Sequence, residues 1–440
     1  MGDFFMGVLS FFCALVLMVN GLYLTFRSKF FQFSRLGLVF NVTFKKLVKS
    51  RDSGGFKAMS IALGSTIGIG NIIGVAAAIT VGGAGAILWM LVTGFLGMII
   101  KFAEVYICVD EAKSSHRNSG GPMYVLSKMA SGKFKMIGCF FAGVTVLASF
   151  FAGNLMQSKA VYRFAHIGFD VGFVPVTLIL LPLLFVILLG KDRLYQNFSA
   201  IFVPLMALFY ISAVLIIIFI NFKYVPSACV SVLTSAFGFR QAVGGFSGAI
   251  ISSALRTGVM KGIFTHEAGM GSAPIAHSCA EKTDPFSQGC WGIVEVFIDT
   301  VVVCMLTALA VLSSPVYLEL STSDPFELIS KIFESVFGSF GIKTLSLSAI
   351  LFAFASIVGW SYYGIKALEF FTKVSRAKKM YTVVFLAVVP LSCVINDSFA
   401  WILTDLFNSL MLIPNSIMLM MLGGKAVDPL SKIKKVLEIG

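Results

Sequence analysis

Glycine and asparagine stand at the centre of an apolar run, where they weaken a helix. The segment GSTIGIGNIIG, Gly64–Gly74, lies within a run about long enough to cross a bilayer. Each interior glycine costs about 1 kcal/mol of helix propensity relative to alanine, and Asn71 needs a hydrogen-bond partner away from water. Later in the chain HEAGMGSAPIA, His266–Ala276, brings two glycines and a proline together. Both stretches predict broken helices.

A break in a membrane helix exposes backbone groups that can bind ions. The N–H groups of a half-helix N-terminus suit a carboxylate, and the carbonyls of a half-helix C-terminus suit a small cation or an ammonium group. Irregular backbone at membrane depth is tolerated only where it is buried in protein or lines a wet cavity. Candidate groups for a zwitterion and a cation are therefore the backbones of Gly68, Gly70, Gly269 and Gly271. For either stretch alone, the alternative is close helix packing through GxxxG-like spacing.

The composition is that of a polytopic membrane protein. The 440 residues are 58% hydrophobic and 12% charged, with a mean hydropathy of +0.92, whereas soluble domains have about 25% charged residues. The net charge of +13 lies in short loops, so we expect no nucleic-acid partner. The eight cysteines are dispersed, and the loops contain no catalytic motif or Cys/His metal spacing. We therefore expect neither an enzyme nor an organic cofactor.

Polar and glycine- or proline-rich breaks divide the chain into about eleven apolar spans, each a predicted transmembrane helix. Without the first span, two sets of about five remain, and a broken span begins each set. An odd number of spans per set gives the two sets opposite orientations, and paired interrupted helices in inverted repeats mark the binding sites of secondary transporters. The predicted units are an extra N-terminal helix at 1–30, a first repeat at 58–222 and a second repeat at 240–423.

The distribution of basic residues predicts the orientation. Most of the 34 Lys and Arg residues lie in alternate loops, on the side of the basic segments 31–57 and 424–440. The positive-inside rule places that side in the cytoplasm and the N-terminus outside the cell membrane. The segment 314–340 carries four carboxylates and is typical of a short amphipathic helix on the outer surface.

Five ordered blocks resemble the alanine/glycine sodium symporter family. The blocks are GGAGAILWMLVTGFLGMIIKFAEV, GGPMYVL, RTGVMKGIFTHEAGMGSAPIA, EVFIDT and FAFASIVGWSYYGIKALEF. This resemblance implies an all-α, five-plus-five inverted-repeat fold similar to that of bacterial leucine transporters, with one extra N-terminal helix. It also implies sodium-coupled symport of alanine or glycine by alternating access. The expected partners are the lipid bilayer, a small amino acid and a sodium ion, with no obligatory protein partner.

The resemblance also implies roles for individual residues. Together with the four glycines, it assigns substrate contacts to Asn71, Gln157, Phe264, Ser356 and Trp360, and sodium coordination to Thr66, Gly68 and Ser356. Trp360 and Phe264 would limit the pocket to the size of alanine. For Asn71, contact with the substrate and a cap on the broken helix both stay open.

Charged residues inside the spans have two interpretations, as gates or coupling groups and as a salt-bridge network between helices. We favour the network for Lys101, Glu104, Arg256, Lys261, Glu267, Glu295 and Asp299. His266 stands where family members commonly have Asn, so a titratable group adjoins Glu267. A proton-coupled permease is therefore the alternative to sodium coupling, and a channel is a further alternative.

Overall fold

The computed structural model describes residues 2–45, 54–117, 119–190, 192–237, 247–280, 284–320 and 322–432. Regular structure in these ranges is helical. The longer helices are Gly2–Arg27, Ala86–Ser114, Lys135–Phe169, Phe173–Leu189, Asp192–Ile220, Pro285–Leu312, Ser339–Phe371, Ser375–Leu391 and Asp397–Val427. Shorter helices are Phe31–Ser34, Leu36–Phe40, Asn41–Lys45, Pro122–Lys128, Met129–Gly132, Phe222–Tyr224, Val225–Ala236, Pro315–Glu319, Pro325–Phe337 and Asp428–Lys432.

Six of the described helices are long and apolar enough to cross a membrane by themselves. They are Ala86–Ser114, Lys135–Phe169, Leu194–Ile220, Pro285–Leu312, Ser339–Phe371 and Asp397–Leu430. Shorter apolar helices accompany them, including Ile73–Gly82 and Phe173–Leu189. The predicted total of about eleven spans stays a prediction.

Both predicted breaks are present. The first broken helix runs Gly54–Thr66, continues through a short 3-10 turn at Ile69–Asn71 and resumes at Ile73–Gly82. The second runs Ser247–His266 and resumes at Ala273–His277. Positive φ angles of +86° at Gly269 and +77° at Gly271 lie in this second break, in a region that side chains other than glycine rarely adopt.

Small residues let the helices around the breaks approach closely. Gly258 and Gly262, four residues apart in the second broken helix, face the helix Ala86–Ser114. A Cβ atom at Gly258 would lie 2.2 Å from the carbonyl oxygen of Ala86, and one at Gly262 would lie 2.2 Å from Thr93 Oγ1. This contact is the small-residue packing that membrane helices use, and it operates in addition to the breaks.

Two π-helical segments interrupt otherwise regular helices beside the first break. Phe151–Leu155 interrupts the helix Lys135–Phe169, and Phe297–Cys304 interrupts the helix Pro285–Leu312. A π segment widens the turn and re-aims side chains, and such segments often occur at functional sites. We did not predict either segment, because its apolar sequence has no distinguishing pattern.

The amphipathic helix predicted within 314–340 is present as Pro325–Phe337. Asp324 caps it, since its side chain accepts a hydrogen bond of 3.0 Å from the backbone N–H of Phe326. Its residues Phe326, Ile329 and Phe333 are buried, and the helix packs against the helix Ser339–Phe371. Next to the exposed Glu334, Lys331 has a raised pKa because Glu334 accepts a hydrogen bond from its ammonium group.

Parts of the predicted organisation lie outside the described residues. These are residues 46–53 of the basic segment 31–57, residues 433–440 of the basic tail 424–440, and residues 240–246 at the start of the second repeat. The five predicted unit boundaries therefore stay predictions.

Candidate functional site

A small closed cavity lies between the two breaks. The helices Lys135–Phe169, Ser339–Phe371 and Asp397–Val427 complete its walls, and its volume of about 10 Å³ is close to the space of one water molecule. Its lining residues are Ser65, Thr66, Gly70, Ala152, Gln157, Phe264, Glu267, Trp360 and Asn408. Five of the predicted site residues, Thr66, Gly70, Gln157, Phe264 and Trp360, therefore meet at one place. We refer to this space as the central cavity.

Gln157 holds the first break against the helix Lys135–Phe169. The carboxamide oxygen of Gln157 accepts a hydrogen bond of 3.3 Å from the backbone N–H of Ile69. A Cβ atom at Gly68 would lie 3.1 Å from the Gln157 carboxamide and 3.2 Å from Ser356 Cβ, and one at Gly70 would lie 3.0 Å from the Phe264 ring. Side chains at these glycines would therefore fill the site.

Asn71 caps the break. Its Oδ1 accepts a hydrogen bond of 3.1 Å from the backbone N–H of Gly68, and its Nδ2 donates to Asp299 Oδ1 at 2.7 Å. Asp299 lies on the π segment Phe297–Cys304, and the Thr300 hydroxyl also donates to its carboxylate. Asn71 is fully buried and outside the lining of the central cavity. This geometry supports the cap, and a contact with the substrate stays a prediction.

Oxygen atoms suited to a small cation surround the end of the first half-helix. Ser356 Oγ donates a hydrogen bond of 2.9 Å to the carbonyl oxygen of Ser65, which places it beside the break. Thr66 Oγ1 donates to the carbonyl of Leu63 at 3.1 Å. A hydroxyl that donates its proton keeps its lone pairs, so both oxygens, with the carbonyl of Gly68 nearby, have the hard-donor chemistry that sodium requires.

Glu267 contributes a carboxylate to the central cavity. It stands at the start of the second break with a φ of +51°, and only 3% of its surface is exposed. Trp360 Nε1 donates to one carboxylate oxygen at 3.0 Å, and Ser272 Oγ donates to the other at 2.6 Å. In the described part of the chain Glu267 forms no ion pair. It therefore orients the Trp360 indole and places a buried carboxyl group in the wall of the cavity.

The predicted salt-bridge network forms around Lys101. Its Nζ lies 3.1 Å from Glu295 Oε1 and 4.0 Å from Glu104 Oε1, and His277 Nε2 lies 3.3 Å from Glu295. All four side chains are fully buried. The network connects three elements of the bundle, as predicted for Lys101, Glu104 and Glu295.

Other charged residues lie apart from this network. Lys261 lies over the Trp401 ring, 3.8 Å from its centroid, and Asp299 is bound by Asn71. The exposed Arg256 has no described ion pair. The sequence therefore predicted a charged network, but it did not show that Lys261, Asp299 and Arg256 lie outside it.

The network also occupies the backbone of Gly269. Glu104 Oε2 accepts hydrogen bonds from the Gly269 N–H at 3.2 Å and from Asn415 Nδ2 at 2.7 Å, and Asn415 Nδ2 donates to the Gly269 carbonyl at 2.9 Å. Gly271 packs against Pro122 and Asn415. Both glycines thus lie outside the lining of the central cavity, and their predicted contact with substrate stays a prediction.

His266 lies beside the second break, fully buried. Its Nδ1 accepts a hydrogen bond of 3.0 Å from the backbone N–H of Ala268, so Nε2 carries the proton of the neutral ring. The imidazole packs against Gly97 of the helix Ala86–Ser114. His266 therefore shapes the backbone that positions Glu267 and does not line the central cavity.

A larger cavity of about 310 Å³ is lined in part by Met156 and Trp401, and the Trp401 ring contacts Phe264 of the central cavity. Lys159 Nζ lies 2.7 Å from Asp397 Oδ1, and Arg163 bridges Asp397, at 3.3 Å, and Asp324 at its rim. Because Arg163, Asp397 and Asp324 are partly solvent-exposed, the pairs of Arg163 contribute little to stability. We call this space the vestibule.

Sequence reasoning missed three residues that line the central cavity. Asn408 lines it from the last long helix, Ala152 from a π segment and Ser65 from the first half of the first broken helix. A polar residue in the apolar segment DLFNSLMLIPN was the available signal for Asn408, whereas Ala152 had none. Glu267 was expected in the network and instead lines the central cavity.

Comparisons with known proteins agree with this architecture. Residues 3–439 match the profile described as the sodium:alanine symporter family. The sodium/alanine symporter AgcS of Methanococcus maripaludis is 33% identical over 94% of this chain and 92% of its own. The probable sodium/glutamine symporter GlnT of Bacillus subtilis is 32% identical over 92% of this chain and 84% of its own. An uncharacterized transporter of Haemophilus influenzae is 32% identical over 91% and 88%.

Solved structures show the same fold at low sequence identity. MhsT in complex with L-phenylalanine superimposes with a TM-score of 0.59 at 17% identity, covering 86% of this chain and 88% of its own. A manganese transporter from Eremococcus coleocola gives 0.58 at 13% identity, covering 87% and 86%. The predicted leucine-transporter-like fold is thereby confirmed, and the apolar helices make the chain a multi-pass membrane protein.

The matched profile covers nearly the whole chain, and the relatives span most of their own length. The paired breaks, the central cavity and the fold are those of a secondary transporter for amino acids, and the family is one of transporters, not enzymes. The chain therefore belongs to the sodium:alanine symporter family.

Proposed function

We propose that the protein takes up a small neutral amino acid, alanine or glycine, by symport with sodium through alternating access. The observation that carries this proposal is the small central cavity between two helix breaks, with the buried carboxyl group of Glu267 in its wall. The names of the relatives AgcS and GlnT support sodium as the coupling ion.

The charges of a zwitterion match the two sides of this cavity. The ammonium group pairs with the Glu267 carboxylate, which forms no ion pair among the described residues, and a buried charge is strongly unfavourable without a partner in contact. The substrate carboxylate lies at the first break, near Gly68 and Gly70, where the half-helix Ile73–Gly82 begins. Sodium binds between Thr66, the Gly68 carbonyl and Ser356 and adds positive charge beside that carboxylate.

The residues that wall the cavity favour a small side chain. Phe264 and Trp360 line it, and Trp360 is fixed by its hydrogen bond to Glu267. Gly153 packs directly behind Trp360, since a Cβ atom there would lie 2.2 Å from Trp360 Cβ. The indole therefore has no room to retreat from a larger substrate in this arrangement.

Alternating access then opens the cavity to each side in turn. The vestibule lies toward the ends of the helices that carry Arg163 and Asp397, and the basic distribution places that side outside the cell, with the C-terminus in the cytoplasm. Opening requires separation of the layer that Phe264, Trp401 and Met156 form between vestibule and central cavity; the rings of Phe264 and Trp401 lie 5.4 Å apart.

Uptake of labelled alanine into reconstituted liposomes tests the proposal. We expect accumulation when sodium is higher outside, and only equilibration when sodium is equal on both sides. Uptake that ignores sodium and follows a proton gradient would replace sodium coupling with proton coupling. A flux that is independent of sodium and does not saturate would instead indicate a channel.

A further inference from the structure

A second closed cavity adjoins the central cavity. It lies between the N-terminal helix Gly2–Arg27, the second broken helix and the helix Asp397–Val427, and its volume is also about 10 Å³. Phe264 and Asn408 line both cavities. We call it the side cavity. Phe264 is the partition between the two spaces, because its ring faces both.

Two polar atoms at the side cavity have no hydrogen-bond partner in the part of the chain that is described. They are Asn408 Oδ1 and Ser409 Oγ. Asn408 is 7% exposed and Ser409 is 2% exposed, so bulk water does not supply the missing hydrogen bonds. Buried polar groups in native proteins are nearly always hydrogen-bonded, and an exception calls for a ligand or a functional role.

The two atoms are chemically complementary to a neutral polar side chain. Asn408 Oδ1 is an acceptor, and the Ser409 hydroxyl can donate. A hydroxyl or a carboxamide offers both a donor and an acceptor, so either group satisfies both atoms. A methyl or an isobutyl group satisfies neither. Asp405 also lines the side cavity, and the rest of the lining is apolar, namely Cys13, Met260, Ile263, Phe264 and Leu412.

The Phe264 ring separates the two cavities and is packed unevenly. Its centroid lies 5.4 Å from that of Trp401, and Lys261 lies over the Trp401 ring. A Cβ atom at Gly70 would lie 3.0 Å from the Phe264 ring and one at Gly74 would lie 3.9 Å from it, so the ring is closer to the first broken helix at Gly70 than at Gly74. Because Phe264 lines both cavities, a turn of its side chain away from them would join the two spaces.

We propose that Asn408 and Ser409 form a side-chain subsite for neutral polar amino acids, with Phe264 as its movable partition. This proposal rests on the proposed transport of small amino acids and extends its substrate class from alanine to side chains that end in a hydroxyl or a carboxamide. Alanine leaves Phe264 in place. Serine or asparagine turns it and reaches Asn408.

Competition against labelled alanine in proteoliposomes tests the subsite with matched pairs. Serine is compared with α-aminobutyrate, and asparagine with leucine, since the members of each pair are similar in size. We expect the polar member to inhibit at an about tenfold or more lower concentration, because a site with unpaired polar groups rejects the apolar analogue. In Asn408→Leu and in the milder Ser409→Ala, this preference should fall toward equality, with each variant's own alanine uptake as its reference.

Thr404→Val is the matched control. Thr404 is buried on the same helix, its hydroxyl donates to the Ala400 carbonyl at 2.9 Å, and it lines neither cavity. It should retain both alanine uptake and the polar preference. Equal inhibition within each pair in the unmodified protein would overturn the subsite, as would a preference that survives in both subsite variants.

Direct binding separates this proposal from sodium-coupled transport. Thermal stabilisation of the purified protein by serine and asparagine, relative to α-aminobutyrate and leucine, reports the subsite without a gradient. Stabilisation by the polar members with no sodium-driven uptake would sustain the subsite and refute the symport. Sodium-driven alanine uptake with no difference in stabilisation within the pairs would do the reverse.

Discussion

Replacing Asn71 with alanine should destabilise the protein before any substrate binds. The substitution removes the acceptor of the Gly68 N–H and the donor to Asp299, both in a fully buried environment. A buried group that loses its partner costs about 1–3 kcal/mol, and more when it is charged, so the two losses together amount to about 2–6 kcal/mol. This estimate assumes that Asn71 acts as a cap and bonds to two elements, the first break and the π segment Phe297–Cys304.

The corresponding change in melting temperature follows from chain length. An unfolding entropy of about 2.1 cal/mol/K per residue amounts to about 0.9 kcal/mol/K for this chain, so the melting temperature should fall by about 2–6 °C. Thermal unfolding of purified Asn71→Ala in detergent, without sodium or alanine, measures it. Asn20→Ala is the control, because the side chain of Asn20 is buried and donates only to Val16 within its own helix, at 3.1 Å.

The alternative role of Asn71 makes the opposite prediction. If Asn71 acted only through the substrate, the ligand-free variant would melt with the unmodified protein and its alanine affinity alone would fall. A shift no larger than that of Asn20→Ala, together with weakened alanine binding, would refute the cap.

Three further predictions concern the pocket, the network and the vestibule. Trp360→Ala should let valine and leucine compete with alanine at an about tenfold lower concentration, because the indole walls the cavity; unchanged competition would remove Trp360 from the pocket. Lys101→Met should cost about 3–5 kcal/mol, measured by thermal unfolding, because it leaves Glu295 and Glu104 buried without their cation. A combined Lys101→Met and Glu295→Gln variant should recover part of that loss, and a failure to do so would contradict the ion pair. Cys393 should react from outside intact cells with a membrane-impermeant maleimide, since it lines the vestibule, and Cys393→Ser is the control.

The Cys393 reaction should also depend steeply on pH. Cys393 lies in the turn between the helices Ser375–Leu391 and Asp397–Val427, and burial raises the pKa of its thiol from 9.0 to about 11. Only the thiolate reacts, so the labelling rate should rise about tenfold per pH unit between pH 7 and 10. A rate that levels off near pH 9 would contradict the raised pKa, and labelling only after membrane permeabilisation would reverse the proposed orientation.

The helix breaks and the family were predictable from sequence for a clear physical reason. Glycine clusters in an apolar run carry a local cost, and that cost is visible without knowledge of what packs around it. The resemblance then placed Gln157, Phe264 and Trp360 at one site, and the structure brings their side chains together. Pairing of Lys101 with Glu104 was also predictable, because it depends on helical spacing alone.

The sequence by itself therefore determined the class of protein and the broken helices, since each depends on composition or on local spacing, and its resemblance to a family pointed to several residues that meet there. Only the tertiary structure decided which partner each polar group takes. Asn71 caps Gly68 and binds Asp299, Glu267 faces the cavity while Glu104 and Glu295 pair with Lys101, and Asn408 borders two cavities. These assignments depend on contacts between residues far apart in the chain, and hydrogen-bond partners at such separations follow from how helices pack, which no local pattern encodes.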